Sequence, residues 1–209
     1  MTIVPKLASK QRRDEEPNIE LAQELVNDHN LEGIKEVIQN LSNMDKGIQQ
    51  DCIKVAYEIG EVKPELISEY ALTFINLLKS RNNRLVWGAM TALSTIATIS
   101  STIMMEHLET IFSTMKTGSV ITVDKGVLTL AKLASASNEN NERIFPFLLH
   151  HLETCRPKEL PQHAESTLIA ANNDNKEVFL TVLKRRENEL TAPQLKRIKK
   201  IDKVLGLNE

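Results

Sequence analysis

A chain of 209 residues with 28 acidic and 26 basic side chains carries a formal charge of −2, so bulk electrostatics favours neither nucleic acid nor an anionic membrane. Seven Gly, seven Pro and 4% aromatic residues are few for a turn-rich strand fold, and they suit helices packed through Leu, Ile and Ala. No apolar run approaches the roughly 20 residues of a membrane span, and the N-terminus lacks the apolar stretch of a signal peptide. The two cysteines, Cys52 and Cys155, lie far apart, which argues against a disulfide framework and predicts reduced thiols in a cytoplasmic protein.

Residues 1–16 set Lys6, Lys10, Arg12 and Arg13 against Asp14, Glu15 and Glu16 with few apolar anchors, the pattern of a flexible arm. Pro17 suits the first turn of a helix, where a missing N–H costs nothing, and Leu21, Ala22 and Leu25 follow on one face. Asn30 is placed to cap a second helix bearing Ile34, Val37, Ile38 and Leu41. From about Lys46 to Gly60 an A helix directs Ile48, Cys52, Ile53, Ala56 and Ile59 inward. A B helix from Pro64 follows, with Ile67, Tyr70, Ala71, Phe74, Ile75 and Leu78. The same pairing recurs around Leu85–Ile96 and Met104–Met115, then around Val123–Leu133 and Ile144–Leu152. Beyond Pro157 a shorter pair and a last helix from about Ala192 to Leu205 complete the chain.

The pairs recur at a step of 37 residues. Cys52, Ala89 and Gly126 keep it, as do Ala56, Leu93 and Leu130, and Ile38, Ile75, Phe112 and Leu149. A fixed period in this range is the mark of a solenoid, whose units bury their apolar faces only by stacking on neighbours. Small residues at Cys52, Ala89 and Gly126 allow successive A helices to approach closely.

The segment from Leu85 to Ala97 resembles the first helix of a HEAT repeat through Leu85, Ala89, Ala92 and Leu93. Ile48, Cys52, Val55 and Ala56 match it more loosely one repeat earlier, and Gly126, Thr129, Leu130 and Ala131 one repeat later. Gln49, Val86 and Val123 stand where the family has Arg, and Lys46, Asn83 and Val120 where it has Asp, so the Asp–Arg ladder is absent and the geometry is nearer armadillo. The resemblance implies an all-α, right-handed α-α superhelix of the HEAT/armadillo-like solenoid type, with about five helix pairs. It divides the chain into the arm (1–16), a repeat domain (17–190), and a basic capping helix with tail (191–209). It also implies a concave face, lined by B helices, that receives a protein or peptide; a minority of such solenoids, the glycosylases for alkylated DNA bases, receive a duplex there.

Glu32, Glu69 and Glu106 form an acidic row at the 37-residue step, near the starts of B helices. Their charges complement the helix dipoles, and they would also attract a basic segment. Gln39, Asn76, Ser113 and His150 form a parallel polar row. Lys184, Arg185 and Arg186, with Lys196, Arg197, Lys199, Lys200 and Lys203, could neutralise phosphates, although no aromatic residues interleave with them for base stacking. Trp87 and Asp124 share a repeat position and resemble the aromatic-plus-carboxylate pockets of the HEAT-like glycosylases. His151 and Cys155 stand i, i+4 with His163 nearby; a closed zinc site wants a fourth ligand, and His150 continues a solvated row, so no metal and no cofactor is expected. Phosphate-binding loops, nucleophile elbows and HExxH pairs are absent. The sequence therefore points to a non-catalytic interaction or scaffold module for a protein or peptide partner, off the membrane, with a nucleic-acid-binding HEAT-like protein related to the glycosylases as the alternative.

Overall fold

The computed structural model describes residues 2–11 and 14–206; Arg12 and Arg13, counted above in the basic arm, and residues 207–209 of the tail lie outside them. All regular elements among the described residues are helical, as expected. The chain divides into two compact bodies, Met1–Gly126 and Val127–Glu209, a division that the 37-residue step does not mark.

The N-terminal body contains α1 (Ala8–Gln11), α2 (Glu16–Asn27), α3 (Leu31–Gln39), α4 (Lys46–Val62), α5 (Ala71–Leu77), α6 (Asn83–Ile96), α7 (Ser101–Glu106) and α8 (Leu108–Thr117). Helix α9 (Val120–Ser135) follows. The starts of α4, α6 and α9 at Lys46, Asn83 and Val120 reproduce the repeat step. Each start has a local cause. The Asp45 carboxylate accepts from the backbone N–H groups of Gly47 (2.8 Å) and Ile48 (3.4 Å), and Asn82 accepts from that of Arg84 (3.1 Å). Asn30 caps α3 as expected, through the Gly33 N–H at 2.9 Å.

Helix α4 packs against both α2 and α6, with Cys52, Ile53, Ala56 and Ile59 fully buried on the first and Ala89, Leu93 and Ile96 on the last. The two helices approach closely at Gly88, where an added Cβ would lie 2.6 Å from Ile53 Cγ1. Burial pushes the Cys52 thiol up to about 12, aided by the nearby Asp51 and Glu36 carboxylates, which leaves it a small hydrophobe rather than a nucleophile.

Two expectations change here. The B helix expected from Pro64 is broken into 3-10 turns, Pro64–Leu66 and Ser68–Tyr70, ahead of α5. Ile67 leaves helical geometry (φ −122°, ψ 0°), and the Ser68 hydroxyl donates to the Glu65 carbonyl at 3.1 Å while Ser100 Oγ donates to the Ser68 carbonyl at 2.9 Å. The next repeat breaks likewise at His107 (φ −112°, ψ 20°), between α7 and α8. Ile67 and Met104, one repeat apart and both buried, anchor the short leading segment in each case. These two repeats thus have three pieces, in the armadillo manner.

The N-terminal segment also packs instead of trailing. Ile3, Leu7 and Ala8 are buried, α1 contacts α2 and α4, and side chains of the repeats satisfy its backbone. Asn18 Oδ1 accepts from the Ala8 N–H at 3.0 Å, and Asp51 Oδ2 accepts from the Ser9 N–H at 2.8 Å. The apolar anchors Ile3, Leu7 and Ala8 outweigh the polar composition that suggested an arm.

The C-terminal body contains α10 (Asn138–Thr154), α11 (Leu160–Thr167), α12 (Lys176–Arg185) and α13 (Ala192–Val204). Helix α10 packs on α11 and α12, with Phe145 edge-on to Phe179 at 6.1 Å, and α11 packs on α13. Buried Asn141 and Asn175 join to each other (2.9 Å) and to the Ala170 carbonyl (2.8 and 3.2 Å), which satisfies polar groups that would otherwise be costly to bury. Ile198 and Ile201 seat α13, and the Thr191 N–H donates to Gln194 Oε1 at 2.9 Å at its start.

Gly88→Ala tests the interhelical approach. The new methyl meets the branch point of a β-branched side chain, which cannot swing away, so overpacking of ~1–3 kcal/mol outweighs the ~1 kcal/mol gain in helix propensity. A net loss of stability is expected in urea denaturation; a gain would mean that α4 and α6 slide apart freely.

Candidate interaction surface

Glu32 lies in the first turn of α3, Glu69 in the turn ahead of α5, and Glu106 at the end of α7, one residue before the N-cap of α8. All three are exposed, and among the described residues none has an ion-pair partner. Burial, with the nearby Glu69 and Glu32 carboxylates adding to it, raises the Tyr70 hydroxyl above its ordinary value. The dipole explanation suits Glu32 well. It suits Glu69 and Glu106 less, because neither belongs to the helix it precedes.

The accompanying polar row is also exposed. Gln39 ends α3, Asn76 lies in α5 and Ser113 in α8, where its hydroxyl donates to the Thr110 carbonyl at 3.0 Å. Ser113 lines a groove of about 560 Å³ together with Lys79, Arg81, Asn83 and Thr117. His150, in the C-terminal body, is exposed on α10 with Nδ1 3.8 Å from Glu153 Oε2.

The aromatic-carboxylate pair has a different setting from a base-binding pocket. Trp87 is half-buried, with its ring 6.0 Å from that of Tyr57 at a 44° tilt and the Arg84 guanidinium 4.4 Å over it. Both neighbours belong to a charged cluster in which Arg84 and Lys54 flank Glu15, and Lys54 also pairs with Glu58. Trp87 is therefore a packed residue at a repeat junction, covered by a cation where a base would stack. Asp124 is half-buried on α9. Sequence inspection missed this cluster, although Lys54 and Glu58 at i, i+4 were a visible signal.

The basic C-terminal set divides on inspection. Lys184, Arg185, Lys196, Lys199, Lys200 and Lys203 are exposed. Arg186 is buried: Nη1 donates to the Leu152 carbonyl at 2.7 Å and lies 3.6 Å from Cys155 Sγ, while Nε donates to Glu189 Oε1 at 3.0 Å. Arg197 is clamped by Glu165 through two bonds of 2.8 and 2.7 Å. Asp202 lies among the lysines, its carboxyl raised by burial and by Glu187. Two of the eight expected phosphate contacts are thus engaged by groups of the fold, and carboxylates interleave with the rest.

The His-Cys cluster closes further than its sequence spacing required. His151 and Cys155 leave the last turn of α10, and His163, fully buried on α11, comes to them. His151 Nε2 and His163 Nδ1 are 3.0 Å apart, and the candidate donor atoms of all three residues lie within 4.8 Å of one another. Burial raises the Cys155 thiol above its ordinary value, and the Arg186 guanidinium pulls it back down. Among the described residues no helix is long and apolar enough to cross a membrane.

No family model matches the sequence, and no curated protein matches it. Solved structures do. The fold is similar to a designed armadillo repeat protein in complex with the peptide (KR)4, at TM-score 0.69 and 14% identity over 90% of this chain and 89% of that one. It is equally similar, at TM-score 0.69 and 13% identity, to a computationally designed armadillo repeat protein for modular peptide recognition, over 89% and 90% of the two chains. The karyopherin Kap121p bound to the extreme C-terminus of the protein phosphatase Cdc14p matches at TM-score 0.63 and 16% identity, over 87% of this chain and 20% of its own. The fold is that of the HEAT/armadillo solenoids, as the repeat step and the Leu85–Ala97 segment implied.

The Arg197 guanidinium holds the Glu165 carboxyl below its ordinary value, so the pair stabilises the folded state above the unfolded-state pKa of Glu165. That contribution is lost as pH falls through the lowered folded-state value. Both side chains are close to half exposed and solvent screens them, so Arg197→Gln should cost no more than about 1 kcal/mol near neutral pH. The deficit should vanish in acid. Urea denaturation at both pH values checks this, and a deficit persisting in acid would assign Arg197 to packing rather than charge.

Proposed function

We propose that this protein is a non-catalytic interaction module whose N-terminal repeats capture a basic, extended segment of a protein partner on the face formed by their B elements. The observation that carries the reading is the set of exposed, unpaired carboxylates Glu32, Glu69 and Glu106, at equivalent places in three successive repeats, the first two flanking Tyr70. Several other carboxylates of the same body are neutralised, Glu24 by Lys6, Asp45 by Lys10 and Glu58 by Lys54; what sets the row apart is its regular step. Acidic side chains left unpaired at a regular step match a ligand whose cations recur along an extended backbone. A designed solenoid of similar fold holds an alternating Lys-Arg peptide, which supports the choice of ligand chemistry. The polar side chains of Gln39, Asn76 and Ser113 would accept or donate to the backbone of such a segment. In keeping with this use, the chain would act as a scaffold in the cytoplasm, without cofactor.

The test is fluorescence anisotropy of a labelled alternating Lys-Arg peptide at low salt, with the wild type and the triple variant Glu32→Lys, Glu69→Lys, Glu106→Lys. Each exposed charge contact is worth ~0.2–1 kcal/mol, so reversing three should weaken capture by roughly tenfold to a hundredfold. Thermal stability should change little, because all three are at the surface. Salt-sensitive binding lost in the variant supports the reading; unchanged binding removes the row from it.

A further inference from the structure

We propose that His151, Cys155 and His163 bind a single zinc ion, with water as the fourth ligand, and so fasten the end of α10 to α11 within the C-terminal body. Two imidazoles and a thiolate are the donor set zinc takes most readily, and three protein ligands with an open position is a recognised zinc arrangement. The geometry is nearly assembled. At zinc–nitrogen and zinc–sulfur distances of roughly 2.0–2.3 Å, tetrahedral ligand atoms stand about 3.3–3.8 Å apart. Here the two imidazole nitrogens are 3.0 Å apart and all three donor atoms fall within 4.8 Å, so rotamer adjustment of about an ångström closes the site.

The supporting residues favour this use over a plain His–His hydrogen bond. His151 lies in the last turn of α10 and Cys155 is its C-cap residue one turn on, whose N–H donates to the His151 carbonyl at 2.8 Å, and α11 carries fully buried His163. Arg186 donates toward Cys155 Sγ at 3.6 Å, the kind of outer-shell hydrogen bond that orients a coordinating thiolate. A cation there would by itself repel zinc. Arg186 is however paired with Glu189 through two contacts, which removes most of that repulsion. One turn beyond His163 on α11, the buried Thr167 hydroxyl lacks a hydrogen-bond partner, and a zinc-bound water is the kind of partner it lacks. His151 is half-buried, which gives the ion a way in. On binding, the Cys155 S–H releases its proton to solvent, the Zn–S bond and two Zn–N bonds form, and five of the six waters leave the hydrated ion, the sixth staying as the fourth ligand; no redox change is involved.

The experiment uses the full chain, stripped with chelator, then incubated with zinc chloride and desalted, with retained metal measured by elemental analysis. Cobalt(II) substitution reads the donors through a thiolate-to-metal charge-transfer band and intense tetrahedral d–d absorption. One equivalent of zinc and a cobalt band that survives Cys52→Ala and disappears in Cys155→Ser support the site. His151→Asn should weaken zinc binding at least tenfold in competition with a chromophoric chelator. His163 is fully buried and its replacement could unfold the body, so His151 and Cys155 carry the mutational test. Should they also unfold, the wild-type cobalt spectrum decides. No retained zinc, a cobalt spectrum without the thiolate band, or zinc retained equally by folded Cys155→Ser and His151→Asn would each overturn the proposal.

Discussion

The contact of α4 with α2 on one side and α6 on the other is the constraint on which the N-terminal body rests. Helices shorter than ~12–15 residues are marginal in water by themselves, and α3 has nine residues and α5 seven. Neither could persist without the surface that the longer helices supply. Burying one large aliphatic side chain is worth about 1.5–3 kcal/mol, and α4 alone withdraws Ile53, Val55 and Ile59 fully from solvent. The close approach at Gly88 and Cys52 is what brings those side chains into contact. Residues that are small there therefore determine the spacing of everything that packs on top, including the B elements carrying the acidic row.

Periodic features of this fold were legible in the sequence, and features set by a single side chain reaching a distant backbone group were not. The 37-residue step located the starts of α4, α6 and α9, because a repeated apolar stripe and a capping residue are both local signals. The break in the B helices was hidden. Nothing in the apolar pattern around Ile67 distinguishes one long helix from two turns and a short one; the hydroxyls of Ser68 and Ser100 decide it through carbonyls they reach only after folding. The docking of residues 2–11 was hidden for a similar reason. Asn18 and Asp51 meet that segment's backbone from the repeats, and polar composition near a terminus suggests the opposite.

The candidate surfaces show the same division. Exposure of Glu32, Glu69 and Glu106 followed from their helical positions and was readable in advance, as was the solvated character of Gln39, Asn76, Ser113 and His150. The state of the arginines was not. Arg186 and Arg197 sit in a run of cations that reads as a phosphate-binding face, yet each is claimed by a carboxylate, Glu189 at three residues' distance and Glu165 across a helix interface. A count of basic residues overstates the free positive charge wherever Arg can fork onto a carboxylate, because the bidentate pair is geometrically favoured over a solvated side chain. Trp87 illustrates the converse. Its usefulness as a stacking platform depends on an open ring face, and Arg84 lies over that ring.

Arg186 also ties the charge argument to the chemistry of the C-terminal body. A guanidinium withdrawn from water costs several kcal/mol unless its donors are met, and here a carbonyl, a carboxylate and a sulfur meet them. The same contacts fix where Cys155 points, toward the end of α10 where His151 and His163 are already within hydrogen-bond distance of each other. Cys52, by contrast, is fully buried on α4 where that helix packs between α2 and α6. Cys155 instead lies beside a charged donor and two imidazoles, which brings the three donors proposed for zinc together where α10 ends against α11.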